Sequence, residues 1–376
     1  MLSPGCNADT LSLVLAEEVD AIAGVLGREV TGVRTLAGGF SHETCLLELG
    51  EDQVVVRLGG ADPGIEAAVM AAARQRVPVP EVLRVLPAPA DDPGAAAATG
   101  QAATAHQVAR RAMILEYVEA SPLSSVLAGA LVGKPGEGGQ SGVARDEASM
   151  ARLGAEVGRV FAIIGSIEFD CPGFFADVNL TVGDMPPWSE QLPGMVATSM
   201  DAVPASRLDS PARRAWTELC AAHAPALASI DSQARLVHAD ANPKNILVSQ
   251  APGSGAWQVD AVLDWEFSFS GCPYADAANM TRFGADYPPG FTDGFSAGFA
   301  AHLPDDLADW AYLGRVMDMF ALSDLVTRPE GHAVADRAAV EIRRWITDGV
   351  PDCAPGAEPA AVGGKPAART SPSTSL

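Results

Sequence analysis

Residues 236–249 read LVHADANPKNILVS. Two apolar runs flank a polar knot of His238, Asp240, Asn242, Lys244 and Asn245, with Pro243 fixing the turn. Asn, Asp and Pro are turn formers, so turn chemistry alone accounts for the composition. It does not account for what comes next. ILVS is a short strand, QAPGSGA a Gly/Pro turn, and WQVDAVLD a second strand that ends at Asp264. Strands joined by so short a loop pair as an antiparallel hairpin. The start of the first strand then lies beside the end of the second. Asn245 and Asp264 meet at one end of the ribbon, with Asp240 in the loop beneath.

An Asp, an Asn and a second Asp brought together offer hard oxygen ligands and a base. Mg²⁺ takes few protein oxygens and shares its shell with phosphates and water. In phosphoryl transfer a protein holds the metal nucleotide, orients a hydroxyl and stabilises spreading charge. H-x-D-x-x-x-x-N, then a hairpin, then Asp, has the spacing and order of a kinase catalytic loop with its metal aspartate.

The N-terminal part tests that idea separately. LAGGFSHET supplies Gly38, Gly39 and Ser41 between two strands, where small residues let backbone N–H groups approach phosphate oxygens. VVVR ends in Arg57, where a kinase carries a lysine, and GIEAAVM places Glu66 on the following helix. Singly, each is ordinary: a GG turn is commonly just a hairpin, and such charges are commonly solvated. Their order upstream of the His238–Asp240 loop is what carries weight.

Together, LAGGFSHET, VVVRL, VPVPEVL, MILEYVE, LVHADANPKNILV and AVLDWEFSFSGCPYADAANM resemble the aminoglycoside phosphotransferase and choline kinase superfamily, small-molecule kinases with the protein-kinase-like fold. The motifs span roughly residues 30 to 285. The resemblance implies ATP and Mg²⁺ as cofactors. It implies that Asp240 orients or accepts the proton of the acceptor hydroxyl, that Asn245 and Asp264 hold the metal, and that Arg57 touches the α/β-phosphates and pairs with Glu66. Glu116, Tyr117 and Val118 would form the hinge that meets adenine. His238 and Asp276 would be structural, the first fixing the catalytic loop and the second bracing it. Two departures stand out. Arg57 replaces lysine, which keeps the charge and changes the geometry. DWE replaces Asp-Phe-Gly, which keeps the aspartate and sends Trp265 into the core. Lys244 reads as solvated.

The implied fold is α+β and two-lobed. Residues 10–118 form an N-terminal lobe of antiparallel sheet plus helix, residues 119–350 a mainly helical C-terminal lobe carrying the catalytic hairpin, and residues 351–376 a disordered tail. Strands read at EVTGVRTLAG, ETCLLELG, QVVVRLGG, EVLRVLP and RAMILEYVE. EEVDAIAGVL and GIEAAVMAAARQR read as helices in the same lobe, and four further apolar-periodic segments read as helices after residue 147. Residues 87–107 and 133–147 are Gly/Ala/Pro-rich and read as mobile insertions.

Composition narrows the partners. A hydrophobic fraction of 48% in 376 residues supports a large core, and the net charge of −22 excludes nucleic acid, whose phosphates need compensating Lys and Arg. The acidic balance suits a small hydroxylated cation, with solubility the blander account. Asp305, Asp306, Asp309, Asp318 and Asp324 are candidates for binding one, and a solvated helix face is the ordinary reading of such acids. Six scattered cysteines without a CxxC pair point to a reducing compartment, and the N-terminus lacks the basic start of a secretory signal, so the expected location is the cytoplasm with no membrane span.

The expected activity is an ATP-dependent O-phosphotransferase acting on a small molecule, with an aminoglycoside or other antibiotic as the sharper choice. A metabolic kinase for choline, an amino sugar or homoserine is the alternative. A nucleotide-binding pseudokinase is disfavoured because Asp240, Asn245 and Asp264 are all present. A protein kinase lacks room for an activation segment after DWEFSFSGCPYADAANM. A metallohydrolase would need further ligands near His238 and Asp240.

Overall fold

A computed structural model of the chain describes residues 13–36, 42–60, 62–86, 110–132, 146–303 and 309–353. Residues 87–107, most of 133–147 and the tail from 354 lie outside these, as do Gly38, Gly39, Ser41, Asp305 and Asp306. By internal packing the chain divides into two compact units. One is Met1–Pro187 with Ser229–Trp310; the other is Trp188–Ala228 with Ala311–Leu376. The N-terminal sheet and the hairpin between Asn245 and Asp264 both belong to the first unit.

In the first unit, β1 (Gly32–Thr35), β2 (His42–Leu49), β3 (Asp52–Gly59), β4 (Val82–Leu86) and β5 (Ala112–Glu116) form an antiparallel sheet in the order β1-β2-β3-β5-β4. Alternation along a strand sends successive side chains to opposite faces. On one face, Cys45, Leu47, Val54, Val56, Leu58 and Ile114 pack with Val19, Ile22 and Ala23 of helix α1 (Leu13–Leu26). Arg57 falls between Val56 and Leu58, so the same alternation turns it to the other face, with Met113 as its cross-strand partner on β5. The residue types that make the sheet thus also aim its buried cation.

Helix α2 (Pro63–Arg74) starts at Asp62, whose Oδ1 accepts the Gly64 N–H at 2.9 Å, with proline in the first turn. Its buried stripe is Glu66, Val69, Met70 and Ala73, the spacing of one helical face. Glu66 therefore points inward as part of an otherwise apolar stripe.

After β6 (Ser121–Pro122) and α3 (Leu123–Val132), the long helix α4 (Glu147–Ile164) crosses α8 (Phe291–Ala300) at close range. Gly154 and Gly158 face the backbone carbonyls of Phe291 and Phe295, and Gly294 and Gly298 face those of Ala151 and Ala155. Short strands β7 (Gly173–Phe174), β8 (Arg235–Val237) and β11 (Phe269–Gly271) form a sheet in the order β7-β11-β8. Helix α7 (Tyr274–Thr281) follows β11.

The hairpin of β9 (Ile246–Gln250) and β10 (Trp257–Val262) is antiparallel, with Ile246 opposite Val262 and a bulge between Val259 and Ala261. The Leu263 N–H donates to the Asn245 carbonyl at 2.8 Å and carries the pairing one step further, to the residue before Asp264. β6 pairs with the outer side of β9.

The second unit contains α5 (Trp188–Ala202), α6 (Ser210–His223), α9 (Trp310–Leu325) and α10 (Ala333–Asp348). Trp216 packs on Trp345, ring centroids 5.9 Å apart, and donates its indole N–H to Ser323 Oγ at 2.9 Å. Buried Arg207 donates to the carbonyls of Val326, Arg328 and Pro329, closing the C-terminal end of α9. Among the described residues no helix is long and apolar enough to cross a membrane.

Candidate active site

Strand β8 delivers the buried Val237 and then the catalytic-loop sequence. The His238 and Ala239 N–H groups donate to the two carboxylate oxygens of Asp276, both at 2.8 Å. Asp276 stands in the first turn of α7 and is fully buried. Burial pushes its pKa up to about 7, while the two N–H donors pull the other way.

His238 is fully buried and its Nε2 donates to the Leu263 carbonyl at 2.9 Å. That leaves Nδ1 as the acceptor for the Asp240 N–H at 3.2 Å. The ring meets Trp265 edge-on at 4.6 Å and Phe161 of α4 at 6.0 Å. Burial lowers its pKa, which suits a neutral ring that ties the catalytic loop to the end of the hairpin. Ala239 then takes a left-handed conformation, φ +67°, and Asn279 donates to its carbonyl at 3.0 Å. Here the chain turns and Asp240 leaves the apolar interior.

Two amides hold the Asp240 carboxylate. Asn242 Nδ2 donates to Oδ1 and Asn245 Nδ2 to Oδ2, each at 2.7 Å. Asn245 Nδ2 also reaches the Asp240 carbonyl at 3.1 Å. With its NH₂ committed to Asp240, Asn245 presents Oδ1 on its opposite edge, and that oxygen takes no hydrogen bond among the described residues.

The third oxygen-bearing residue, Asp264, also sits at left-handed φ, +67°. Burial raises its carboxyl pKa; Arg57 opposes the shift and the charge of Asp240 adds to it, so the two aspartates feel one another. Arg57 Nη2 lies 2.9 Å from Asp264 Oδ1. Arg57 Nη1 pairs with Glu66 Oε1, which also accepts the Trp265 N–H at 3.1 Å. Burial raises the Glu66 pKa, with Arg57 again opposing. One guanidinium thus joins β3, helix α2 and the segment after the hairpin.

Two residues that sequence reasoning did not single out complete this corner. His42, at the start of β2, accepts the Arg57 Nε–H at its Nε2, 2.8 Å away, and Glu266 Oε2 lies 3.8 Å from its Nδ1. Nearby burial and Arg57 push the His42 pKa down to about 4. His42, Asp264 and Glu266 offer ligand atoms that all lie within 4.8 Å of one another. His42, Arg57, Glu66, Met113 and Glu266 line a small hollow here. The signal was present in both cases: His42 lies three residues after Gly39 in LAGGFSHET, and Glu266 is two residues past Asp264.

The oxygens of Asp264, Glu266 and Asn245 Oδ1 are hard donors of the kind Mg²⁺ takes, and few enough to leave room for phosphate and water. The residue set fits that ion. Of the expected hinge, Glu116 ends β5 with its side chain exposed; it accepts the Glu81 N–H at 3.0 Å and lies 3.5 Å from Arg74. Tyr117 and Val118 follow, half-buried. Among the acids suggested for cation binding, Asp318 is buried in α9 and Asp324 pairs with Arg328 at 3.0 Å, while Asp309 is exposed.

A five-stranded antiparallel sheet with an inward glutamate on its helix, followed by an H-x-D loop and a metal-type aspartate beyond a hairpin, defines a kinase-like phosphotransferase fold. The profile of the phosphotransferase enzyme family (APH) matches residues 32–313, and the chain belongs to that family. It is a phosphotransferase with an alcohol group as acceptor. Solved structures share its fold. An aminoglycoside phosphotransferase, APH(4)-Ia, in ternary complex with ADP and hygromycin B is 14% identical with TM-score 0.59, the match covering 88% of this chain and 98% of that one. The GDP complex of an aminoglycoside 2'-phosphotransferase-IIIa mutant is 14% identical with TM-score 0.56, over 89% and 94%. A type I macrolide 2'-phosphotransferase is 14% identical with TM-score 0.51, over 88% and 98%. Among curated proteins none matches.

Proposed function

We propose that the protein is an ATP-dependent O-phosphotransferase that moves the γ-phosphate to a hydroxyl of a small molecule, an aminoglycoside or another antibiotic, with Mg²⁺ as the metal. The observation that carries this reading is the Asp240 carboxylate, clamped between the amides of Asn242 and Asn245 and electrostatically coupled to Asp264.

In this reading Asp240 orients the acceptor hydroxyl and takes its proton as the oxygen attacks phosphorus. Both carboxylate oxygens already accept amide hydrogens, which fixes the position of Asp240, so its work is mainly orientation. Asn245, Asp264 and Glu266 hold the metal, which when bound neutralises phosphate charge. Arg57 lies beside the same aspartate and supplies a second positive charge to the phosphate chain, while Glu66 keeps it in place. Glu116, Tyr117 and Val118 meet the base through their backbone, and Gly38, Gly39 and Ser41 cover the phosphates. His238 and Asp276 keep the loop in register. The nucleotide-bound relatives, one with ADP and one with GDP, support a nucleotide as donor.

A second reading, a metabolic small-molecule kinase, draws support from the acids meant for a polycation. Asp318 is buried and Asp324 is engaged by Arg328, which leaves a reduced acidic face for an amino sugar. A coupled assay for ADP release decides between the readings. Turnover with aminoglycosides or macrolides and growth protection of a sensitive host support the first. Turnover confined to choline, homoserine or simple amino sugars supports the second, and no ADP release with any acceptor overturns both.

A further inference from the structure

Arg57 departs from the lysine expected at its position, and the structure contains a reason. A guanidinium carries N–H groups on three nitrogens in a fixed plane, whereas a lysine concentrates its donors on one atom. All three nitrogens of Arg57 are in use on three separate segments. Nη1 meets Glu66 on α2, Nη2 meets Asp264 at 2.9 Å and also lies 3.1 Å from His42 Nδ1, and Nε donates to His42 Nε2 on β2 at 2.8 Å. A single ammonium cannot serve acceptors so arranged.

The sheet register builds the third contact. Arg57 is opposite Thr44 and Gly59 is opposite His42, so His42 and Arg57 are diagonal neighbours on one face of the β2–β3 pair. Diagonal pairs lie within reach of long side chains. Both side chains are almost wholly buried, the imidazole 5% and the guanidinium 10% exposed. An Nε–H left without an acceptor there carries a desolvation cost and lets the guanidinium swing about its contact with Glu66.

Building on the phosphotransferase reading, we infer that His42 is a positioning residue for nucleotide binding: by accepting the Arg57 Nε–H it fixes the plane of the guanidinium so that Nη2 faces Asp264 and the phosphate chain. His42 does not touch the reacting atoms. It is the partner that lets arginine do what lysine does elsewhere in kinase folds, so residues 42 and 57 are energetically coupled.

The test is a double-mutant cycle with His42→Ala, Arg57→Lys and the double variant, plus His42→Gln, whose amide oxygen restores an acceptor. His42→Ala is expected to raise the nucleotide KM about tenfold with a smaller change in kcat, the loss of one charge-assisted hydrogen bond. His42→Gln should recover most of that loss. In the Arg57→Lys background, where there is no Nε–H to accept, His42→Ala should change KM less than about twofold. Equal losses in both backgrounds, or a glutamine variant no better than alanine while both keep the parent melting temperature, overturn the inference. A second readout needs no nucleotide: the Arg57 Nε–H resonance of selectively labelled protein should exchange slowly with solvent in the parent and rapidly in His42→Ala. Unchanged protection refutes the role of His42 even if the chain proves to bind no nucleotide, which separates this inference from the functional reading. Should the alanine variant not fold, His42→Asn, whose shorter amide falls short of Arg57, takes its place in both measurements.

Discussion

Asp240 is held at both oxygens by amides from its own loop, and an asparagine of the same shape keeps one of those two acceptors. Asp240→Asn should therefore fold and bind nucleotide nearly as the parent does, while turnover falls on the order of 10²- to 10⁴-fold. A steady-state rate equal to the parent's would dismiss it as the base. Asp264→Ala should instead abolish the Mg²⁺-dependent part of nucleotide binding, read by calorimetry with and without the metal. Asp276 makes a different prediction. Its folded pKa of about 7 lies above the ordinary carboxyl value near 4, so between these limits the folded chain holds a proton that the unfolded chain has released. The stability this contributes is complete below about pH 4 and is lost as pH rises through 7. Comparing parent and Asp276→Asn by denaturant unfolding across that window should show a decline with pH in the parent that the variant lacks. The contacts around Asp240 were legible in the sequence because they rest on residues within five positions and one hairpin. The contacts of Arg57 were only half legible. Order along the chain suggested Glu66, but the bond to His42 depends on strand register and the one to Asp264 spans 207 residues.

Helices α4 and α8 illustrate what elements conceal. The periodicity of residues 147–164 announces α4, yet FTDGFSAGFA gives little sign of α8, because glycine is a poor helix former. In the folded chain those glycines are what the crossing needs. A Cβ added at Gly154 would lie 2.1 Å from the Phe291 carbonyl oxygen, and one at Gly298 2.1 Å from that of Ala155. Backbone cannot yield as a side-chain tip can, so Gly154→Ala should destabilise the fold by about 1–3 kcal/mol as the helices are forced apart. Gly194 in α5 is the internal control, since a Cβ there meets nothing within 4 Å. Gly194→Ala should gain up to about 1 kcal/mol from helix propensity alone. Opposite shifts of the two melting temperatures would support the steric account; a Gly154→Ala variant as stable as the parent would refute it. Strands β6, β7, β8 and β11, two or three residues each, were missed for a related reason: two residues are too few for an alternation to show. The five strands of the main sheet, each long enough to carry a pattern or a cluster of β-branched residues, were all anticipated.

For the molecule as a whole, 47 acidic against 25 basic residues set a negative field that any charged acceptor must cross. Such a field attracts a cation and raises its encounter rate, and added salt weakens it, the Debye length being about 8 Å at physiological ionic strength. The donor nucleotide is an anion and feels the same field with opposite sign, softened locally by Arg57. If the acceptor is an amino-sugar cation, its kcat/KM should fall as ionic strength rises, and that of a neutral hydroxylated acceptor should stay flat. The nucleotide, measured at saturating acceptor, should show the reverse trend. Steering depends on summed charge, so it survives single substitutions: Asp309→Asn should leave the salt slope for a cationic acceptor nearly intact if Asp309 contributes only to the field. A slope that collapses with this one change would instead assign Asp309 to direct contact with the acceptor, and a cationic acceptor indifferent to salt would show that the acidic surface has no part in capturing it.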